Sequence, residues 1–307
     1  MKRHSSLIIL IASMLTSGLL AILFGQDNNW DLRNYHIYNA FAFFEDRTAL
    51  DILPAQLQSF FNPLPDVMLL RLIARLKPVM VGFSLGALHG VNYFLVFKIA
   101  ELILGHLPEH SLTCSRFSVR VTPFRSALLI AAAALIAPSS ISLLGTSYHD
   151  NLVSIPILAS LWLILLFLNK KSKPSLNLIL LSGVVAGMAF GLKMTALLYI
   201  LASIFALVIS IPGSSLKMKT FTAYIGGVIF GTLLVSGFWY WQMWQLYANP
   251  IFPWFNNIFK SPELLDQVIR DTRYLPKSLI EAFLYPIYFM YERYGLRCIL
   301  LRHSHQK

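Results

Sequence analysis

Charged residues are scarce in this 307-residue chain, where they make up 13% of the sequence against 56% for apolar residues. Soluble domains carry roughly a quarter charged residues. A chain so poor in charge cannot cover a soluble surface with polar groups. Its mean hydropathy of +0.63 also indicates an apolar chain. The composition therefore excludes an ordinary soluble protein and indicates a protein of the lipid bilayer.

Cysteine and the common catalytic motifs are also nearly absent. The two cysteines, Cys114 and Cys298, lie far apart and lack metal-ligand spacing, so the sequence supports neither a disulfide framework nor a cysteine-based zinc site. It contains no phosphate-binding glycine loop, no nucleophile elbow and no His/Cys metal array. Any chemistry must therefore come from acids and bases near a membrane surface.

Long apolar runs are abundant, and they predict about seven membrane-spanning helices. The predicted spans are Leu7–Phe24, Val79–Leu104, Ala127–Leu144, Leu152–Leu168, Leu176–Phe190, Thr195–Ile211 and Phe221–Trp244. The first run is longer than the apolar core of a signal peptide, about 7–15 residues, and lacks an A-x-A-like cleavage site. We interpret it as an uncleaved span, so the predicted fold is all-α, a polytopic transmembrane helical bundle.

Positive charge indicates the orientation of this bundle. If the N-terminus is cytoplasmic, each short connection on the cytoplasmic side carries basic residues. These are Arg116, Arg120, Arg125, Lys170, Lys171, Lys173, Lys217 and Lys219. This positive-inside pattern predicts a cytoplasmic N-terminus. It also explains much of the net charge of +11 without a nucleic-acid partner.

The chain is predicted to form a single integral-membrane domain, residues 1–307, with two long extracytoplasmic segments. In the first, residues 25–78, aromatic side chains at helical spacing predict a short interfacial helix from Asn34 to Glu45. Val67–Leu76 is too short to span and is expected at the outer leaflet. The second segment, residues 245–307, lacks a clean final span, from which we expect an incomplete C-terminal part.

Candidate active-site residues follow the predicted spans on the outer side. Asp31, with Asp27 as the alternate, comes after the first span, where a carboxylate can take a proton from an acceptor hydroxyl. The alternative is that both aspartates only terminate or cap helices. His149 and Asp150 share a tight outward turn, which is either functional or merely polar. Lys193, at the depth of lipid phosphates, either binds phosphate or only snorkels.

Together these groups permit one specific mechanism. If the donor is a sugar on a polyprenyl phosphate, the phosphate leaves without a general acid, so one carboxylate base and one or two cations suffice. Asp31 would be the base, and Lys193 would supply positive charge. Arg33 or a divalent metal, Mg²⁺ or Mn²⁺, is a further source of charge, and the ligands of such a metal are unknown.

Several stretches of the chain carry a resemblance to a known family. They are Asp31–Ala40, Pro54–Gln58, Phe61–Leu64, Gly191–Ala196 and Asn249–Asn256. These stretches resemble a poorly characterised branch of the bacterial multi-span glycosyltransferases of the GT-C superfamily. Relatives there include polyprenyl-phosphate-dependent mannosyl- and arabinosyltransferase-like proteins. The resemblance extends from Asp27 to about Pro286.

The resemblance implies a bacterial inner-membrane hexosyl- or pentosyltransferase that acts on an extracytoplasmic glycan or lipid. By position it implies Asp31 as the catalytic acidic residue, Asp27 as the alternate, and Asp150 as a second acidic group. Family members commonly continue beyond Pro286 with further spans, so this chain is expected to be C-terminally truncated. Two alternatives stay open: a transporter or flippase with Asp150 and Lys193 along its path, and an inactive remnant.

Overall fold

A computed structural model of the chain describes residues 2–51, 54–106, 122–169, 175–263 and 275–285. This part consists of helices and turns without strands, which confirms the predicted all-α fold. The α-helices are α1 (Lys2–Phe24), α2 (Ile37–Phe44), α3 (Leu64–Arg75), α4 (Pro78–Leu104), α5 (Pro123–Leu135), α6 (Pro138–Leu143), α7 (Asp150–Leu168), α8 (Leu176–Leu192), α9 (Leu197–Ser210), α10 (Ser214–Tyr247) and α11 (Asn256–Phe259). A π-helical turn, Leu32–His36, precedes α2, and short 3₁₀ helices occupy Gln56–Phe60 and Met194–Ala196.

Within the described residues, four helices are long and apolar enough to cross a membrane. They are Ser5–Phe24, Pro78–Leu104, Asp150–Leu168 and Ser214–Tyr247. The other three predicted spans correspond to shorter apolar helices, which are Pro123–Leu135, Leu176–Leu192 and Met194–Ser210. The arrangement is that of a helical membrane bundle, and its orientation in the membrane stays a prediction.

The predicted third span, Ala127–Leu144, is not one continuous helix. α5 ends at Leu135, and α6 begins at Pro138. Proline has no N–H to continue a helix and forces the preceding residue into an extended conformation. Ala137 accordingly has a ψ of 140°. The prediction of an unbroken span was wrong because it ignored this proline.

α1 and α4 pack together at positions that only glycine allows. A Cβ atom on Gly86 would lie 2.6 Å from the carbonyl oxygen of Ser17, and one on Gly90 would lie 2.6 Å from the Cα of Met14. Small residues of this kind let membrane helices approach each other closely. The contact fixes the position of α1 and therefore of the segment after it, which carries Asp31.

A second seam of small residues joins α8 to α10. Glycines occupy the contact on both helices: Gly183, Gly187 and Gly191 on α8, and Gly227 and Gly231 on α10. Thr232 Oγ1 donates a hydrogen bond to the carbonyl of Gly187 at 3.1 Å. Ser236 Oγ donates to the carbonyl of Gly191 at 2.5 Å. The seam positions the end of α8 and the turn that follows it, which contains Lys193.

The chain divides into two units, Met1–Pro253 and Trp254–Lys307. The first contains α1 to α10 and every predicted site residue. In the second, α11 is followed by a turn in which Ser261 N donates to Asn256 Oδ1 at 2.9 Å. Several residues used in the sequence analysis lie outside the described part of the chain: Cys114, Cys298, Arg116, Arg120, Lys170, Lys171 and Lys173.

Candidate active site

Segments far apart in the sequence meet at one end of the first unit. The loop between α1 and α4 is joined to the turn before α7, because Asn29 Nδ2 donates to Ser147 Oγ at 2.9 Å. The same loop is joined to the end of α8, because Asn62 Nδ2 donates to the carbonyl of Gly191 at 3.0 Å. The first long loop therefore contacts both the turn before α7 and the end of α8, next to the predicted site residues.

Asp31 lies immediately before the π-helical turn. This helix is capped by Asn29, whose Oδ1 accepts a hydrogen bond from Leu32 N at 2.8 Å, while Asp31 makes no capping bond. Asp31 Oδ2 instead accepts from Tyr35 OH at 3.1 Å. Its other oxygen receives no hydrogen bond from a described residue, and the side chain is half-buried. π turns occur frequently at functional sites, so these contacts argue against the capping role for Asp31.

Asp27 and Arg33, two other predicted site residues, have different partners. The Asp27 carboxylate accepts from Asn29 Nδ2 at 2.8 and 3.0 Å and from Ser147 N at 2.7 Å. Both of its oxygens are thus engaged in tying the exit of α1 to the turn before α7. Arg33 is exposed, and its Nε donates to Asn28 Oδ1 at 2.6 Å. The structure gives Asp27 a connecting role and leaves Arg33 on the surface.

A buried cluster beside Tyr35 joins the predicted His149 to three residues that the sequence analysis missed. His36 Nδ1 lies 2.6 Å, and His149 Nε2 lies 3.1 Å, from Asp66 Oδ1. Asn39 Nδ2 donates to the other Asp66 oxygen at 3.2 Å. Burial raises the pKa of Asp66, but the two imidazoles outweigh burial and hold that pKa below its usual value. The Asp66 carboxylate is therefore ionised at neutral pH although its side chain is 1% exposed.

The predicted acidic turn and the predicted lysine form an ion pair. Lys193 Nζ lies 2.6 Å from Asp150 Oδ1, and 35% and 51% of the two side chains are exposed. Tyr35 lies near this ion pair and near Asp31. Burial raises the pKa of the Tyr35 phenol, and the negative charge of nearby carboxylates raises it further. Those carboxylates are Asp31, Asp66 and Asp150. The Tyr35 ring also lies 4.2 Å from the His36 ring, which lies 4.2 Å from the ring of His149, the neighbour of Asp150. The structure thus brings Asp31, Asp150 and Lys193 near one another.

Asn62 fastens the first loop to two helices. Its buried Nδ2 lies 3.0 Å from the carbonyl oxygens of both Gly191 and Val235, and its Oδ1 accepts from Leu64 N at 3.0 Å. A buried amide with its donors and its acceptor all used is a rigid connection. It fixes the start of α3, which carries Asp66, against the end of α8 and an internal turn of α10.

Two apolar grooves adjoin the site. The first has a cavity volume of about 210 Å³ between α3 and the start of α4, with Leu69, Ile73, Leu76, Val81 and Leu85 in its lining and Asp27 at its polar part. The second has a cavity volume of about 90 Å³ and is lined in part by His149. Both include Leu69, Leu85 and Ser147 in their linings, so they are adjacent. An apolar groove that leads to charged side chains suits a lipid with a polar head group.

A protein-family model described as dolichyl-phosphate-mannose-protein mannosyltransferase matches residues 117–241. The match confirms the GT-C resemblance. It supports a membrane glycosyltransferase of the GT-C type and includes His149, Asp150 and Lys193. The GT-C match does not extend to Asp31, whose role stays a prediction. No curated protein and no solved structure matches the chain.

Sequence reasoning missed Asp66, His36 and Asn39, the buried polar residues of this candidate site. Asp66 is the one acidic residue of an otherwise apolar or basic stretch, Leu64–Arg75. A lone carboxylate in the first turn of such a helix is a detectable signal, although helix capping explains it equally well. The two histidines offered no spacing pattern, because they lie more than a hundred residues apart in the sequence.

Proposed function

We propose that this GT-C protein transfers a sugar from a polyprenyl-phosphate donor to an extracytoplasmic glycan or lipid acceptor, with Asp31 as the general base. The observation that carries the proposal is the Asp31 carboxylate. Tyr35 OH holds one of its oxygens at 3.1 Å, and the other accepts no hydrogen bond from a described residue. A general base needs such an available lone pair within reach of the hydroxyl proton. Asp27, by contrast, has both oxygens engaged.

In the proposed reaction, an acceptor hydroxyl attacks the anomeric carbon of the donor sugar. The bond from that carbon to the phosphate oxygen breaks, and its electron pair leaves with the polyprenyl phosphate. Asp31 takes the hydroxyl proton, so the products are the glycosylated acceptor and polyprenyl phosphate. The raised pKa of Tyr35 keeps its phenol protonated, which lets it hold the Asp31 carboxylate in place.

Lys193 supports this proposal by supplying positive charge for the phosphate. Its ammonium carries three hydrogens, and the contact with Asp150 at 2.6 Å uses one of them. The two others are available to phosphate oxygens. Exposed ion pairs contribute little to stability, so the donor phosphate can share the ammonium with Asp150 at little cost.

The first apolar groove supports a lipid-linked donor. Its lining side chains Leu69, Ile73 and Leu85 can bury an isoprenoid chain, and burial of apolar surface favours binding by about 25 cal/mol per Å². A nucleotide sugar offers no comparable apolar surface. The groove therefore favours polyprenyl phosphate over a soluble nucleotide as the carrier of the sugar.

The proposal is tested by a transfer assay with the purified full-length protein in liposomes. Radiolabelled polyprenyl-phosphate sugars are supplied one at a time with glycan and lipid acceptors, and the matching nucleotide sugars serve as the comparison. We expect label to move from a polyprenyl-phosphate donor and not from a nucleotide sugar. A folded protein that moves label from none of the polyprenyl-phosphate donors would contradict the proposal and favour the transporter or the inactive remnant.

A further inference from the structure

We infer that His36, Asp66 and His149 form a binding site for a divalent transition metal, with zinc as the ion that fits best. The donor atoms of the three side chains all lie within 4.8 Å of one another. His36 Nδ1 and His149 Nε2 both face the same carboxylate oxygen, at 2.6 and 3.1 Å. Three lone-pair donors that converge on one point are the basic requirement of a metal site.

The contact between His149 Nε2 and Asp66 Oδ1 is within hydrogen-bond distance but outside good hydrogen-bond geometry. His149 Nε2 is buried and has no hydrogen-bond partner among the described residues, although it lies 3.1 Å from Asp66 Oδ1. Buried polar atoms in folded proteins nearly always have a partner, which includes bound ions. A metal ion held between the imidazole and the carboxylate would satisfy both groups at once.

The donor set selects the class of ion. Imidazole nitrogens suit zinc and its neighbours in the transition series, whereas magnesium and manganese prefer ligands that are all oxygen. Two histidines and one carboxylate match the three-ligand arrangement of zinc sites that keep a fourth position open. Asn39 Nδ2, 3.2 Å from Asp66 Oδ2, would orient the carboxylate as outer hydrogen bonds do in such sites. The expectation of Mg²⁺ or Mn²⁺ is thereby revised toward Zn²⁺.

The second groove borders this site. His149 and Pro65, the residue before Asp66, both line that groove, whose cavity volume is about 90 Å³. If the proposed transfer is correct, the open fourth position on zinc would accept an oxygen of the donor phosphate. This role in donor binding is the one part of the inference that rests on the proposed function. Zinc binding itself does not depend on transfer, because the three ligands belong to the protein.

The ligands also come from three separate segments, so the metal should stabilise the fold. His36 belongs to the π-helical turn, Asp66 to the first turn of α3, and His149 directly precedes α7. An ion that binds only the folded state raises its stability by mass action. This gives a second measurable effect that does not require activity.

The test measures zinc binding to the full-length protein, carrying a purification tag without histidine. His303 and His305, near the end of the sequence, offer other zinc ligands, so both histidines are replaced by glutamine in every sample. His36→Gln and His149→Gln remove a ligand while keeping a side chain that can donate a hydrogen bond to Asp66. His89→Gln is the matched control, because His89 is also a buried histidine with a side-chain partner, Asn92.

Each protein is stripped with a chelator, and its zinc affinity is measured by competition with a chromogenic zinc indicator. We expect one zinc ion per chain in the parent protein and in His89→Gln, with a rise in melting temperature. We expect Kd to weaken at least about 100-fold in both ligand variants, since loss of an outer partner alone costs about 10–100-fold. Equal affinity in all four proteins, or a parent that binds no zinc, would overturn the site. Zinc bound by a protein without transfer activity supports the site and counts against the proposed function only.

Discussion

The contact between α1 and α4 predicts opposite effects for two glycines on the same helix. At Gly90 a Cβ would lie 2.6 Å from both Met14 Cα and the carbonyl oxygen of Ser13, whereas at Gly82 it would meet no atom within 4 Å. Real Cβ atoms essentially never approach closer than 3.0 Å, so Gly90→Ala must separate the helices by at least 0.4 Å (3.0 minus 2.6). Overpacking of this kind costs about 1–3 kcal/mol. Gly82→Ala should instead stabilise α4 by about 0.5–1 kcal/mol through backbone entropy.

Both variants gain the same helix propensity, so the difference between their stabilities isolates the cost of overpacking at Gly90. The assay compares the melting temperatures of the two purified proteins in the same detergent, by fluorescence-detected size exclusion. At about 2–4 °C per kcal/mol, Gly90→Ala should melt roughly 2–12 °C below Gly82→Ala. Equal melting temperatures, or a lower value for Gly82→Ala, would refute the packing of α1 against α4.

Two further pairs of variants test the site. Asn62→Ala removes two donated hydrogen bonds and one accepted, each worth about 1 kcal/mol, and should destabilise the protein by about 2–3 kcal/mol in denaturant or thermal unfolding. Asn28→Ala, on the surface of the same loop, should change stability by less than about 0.5 kcal/mol. Similar losses of stability in Asn62→Ala and Asn28→Ala would contradict the role of Asn62 in joining the loop to α8 and α10. Lys193→Gln should lower sugar transfer about 100-fold, while Lys98→Gln, which breaks another lysine ion pair, should leave transfer unchanged.

The fold was largely predictable because it depends on composition. Long apolar runs dictate helices in a bilayer, and the structure has helices at each predicted run. The break at Pro138 was also encoded locally, in a residue that cannot continue a helix. The packing of α1 on α4 was not predicted, because glycines such as Gly90 reveal a contact only when the partner helix is known.

The site was predictable only in part, for a different reason. Asp31, Asp150 and Lys193 stand out as charges beside apolar runs, so their positions could be read from the sequence. His36 has no such signal, and the signal of Asp66 is equally well explained by helix capping. The importance of both residues comes from a contact made across 30 residues and inside the protein. Tertiary contacts of this kind leave no periodic pattern in the chain.

The most direct test of the central claim compares Asp31→Asn with Asp27→Asn in the liposome transfer assay. Asparagine keeps the size of aspartate but cannot take a proton, and general bases contribute about 10²–10⁴-fold to rate. We predict that Asp31→Asn loses transfer by that factor at an unchanged melting temperature. Asp27→Asn should keep its rate within about tenfold, because its amide oxygen can still accept from Ser147 N. Transfer by Asp31→Asn at the wild-type rate would contradict the assignment of Asp31 as the base.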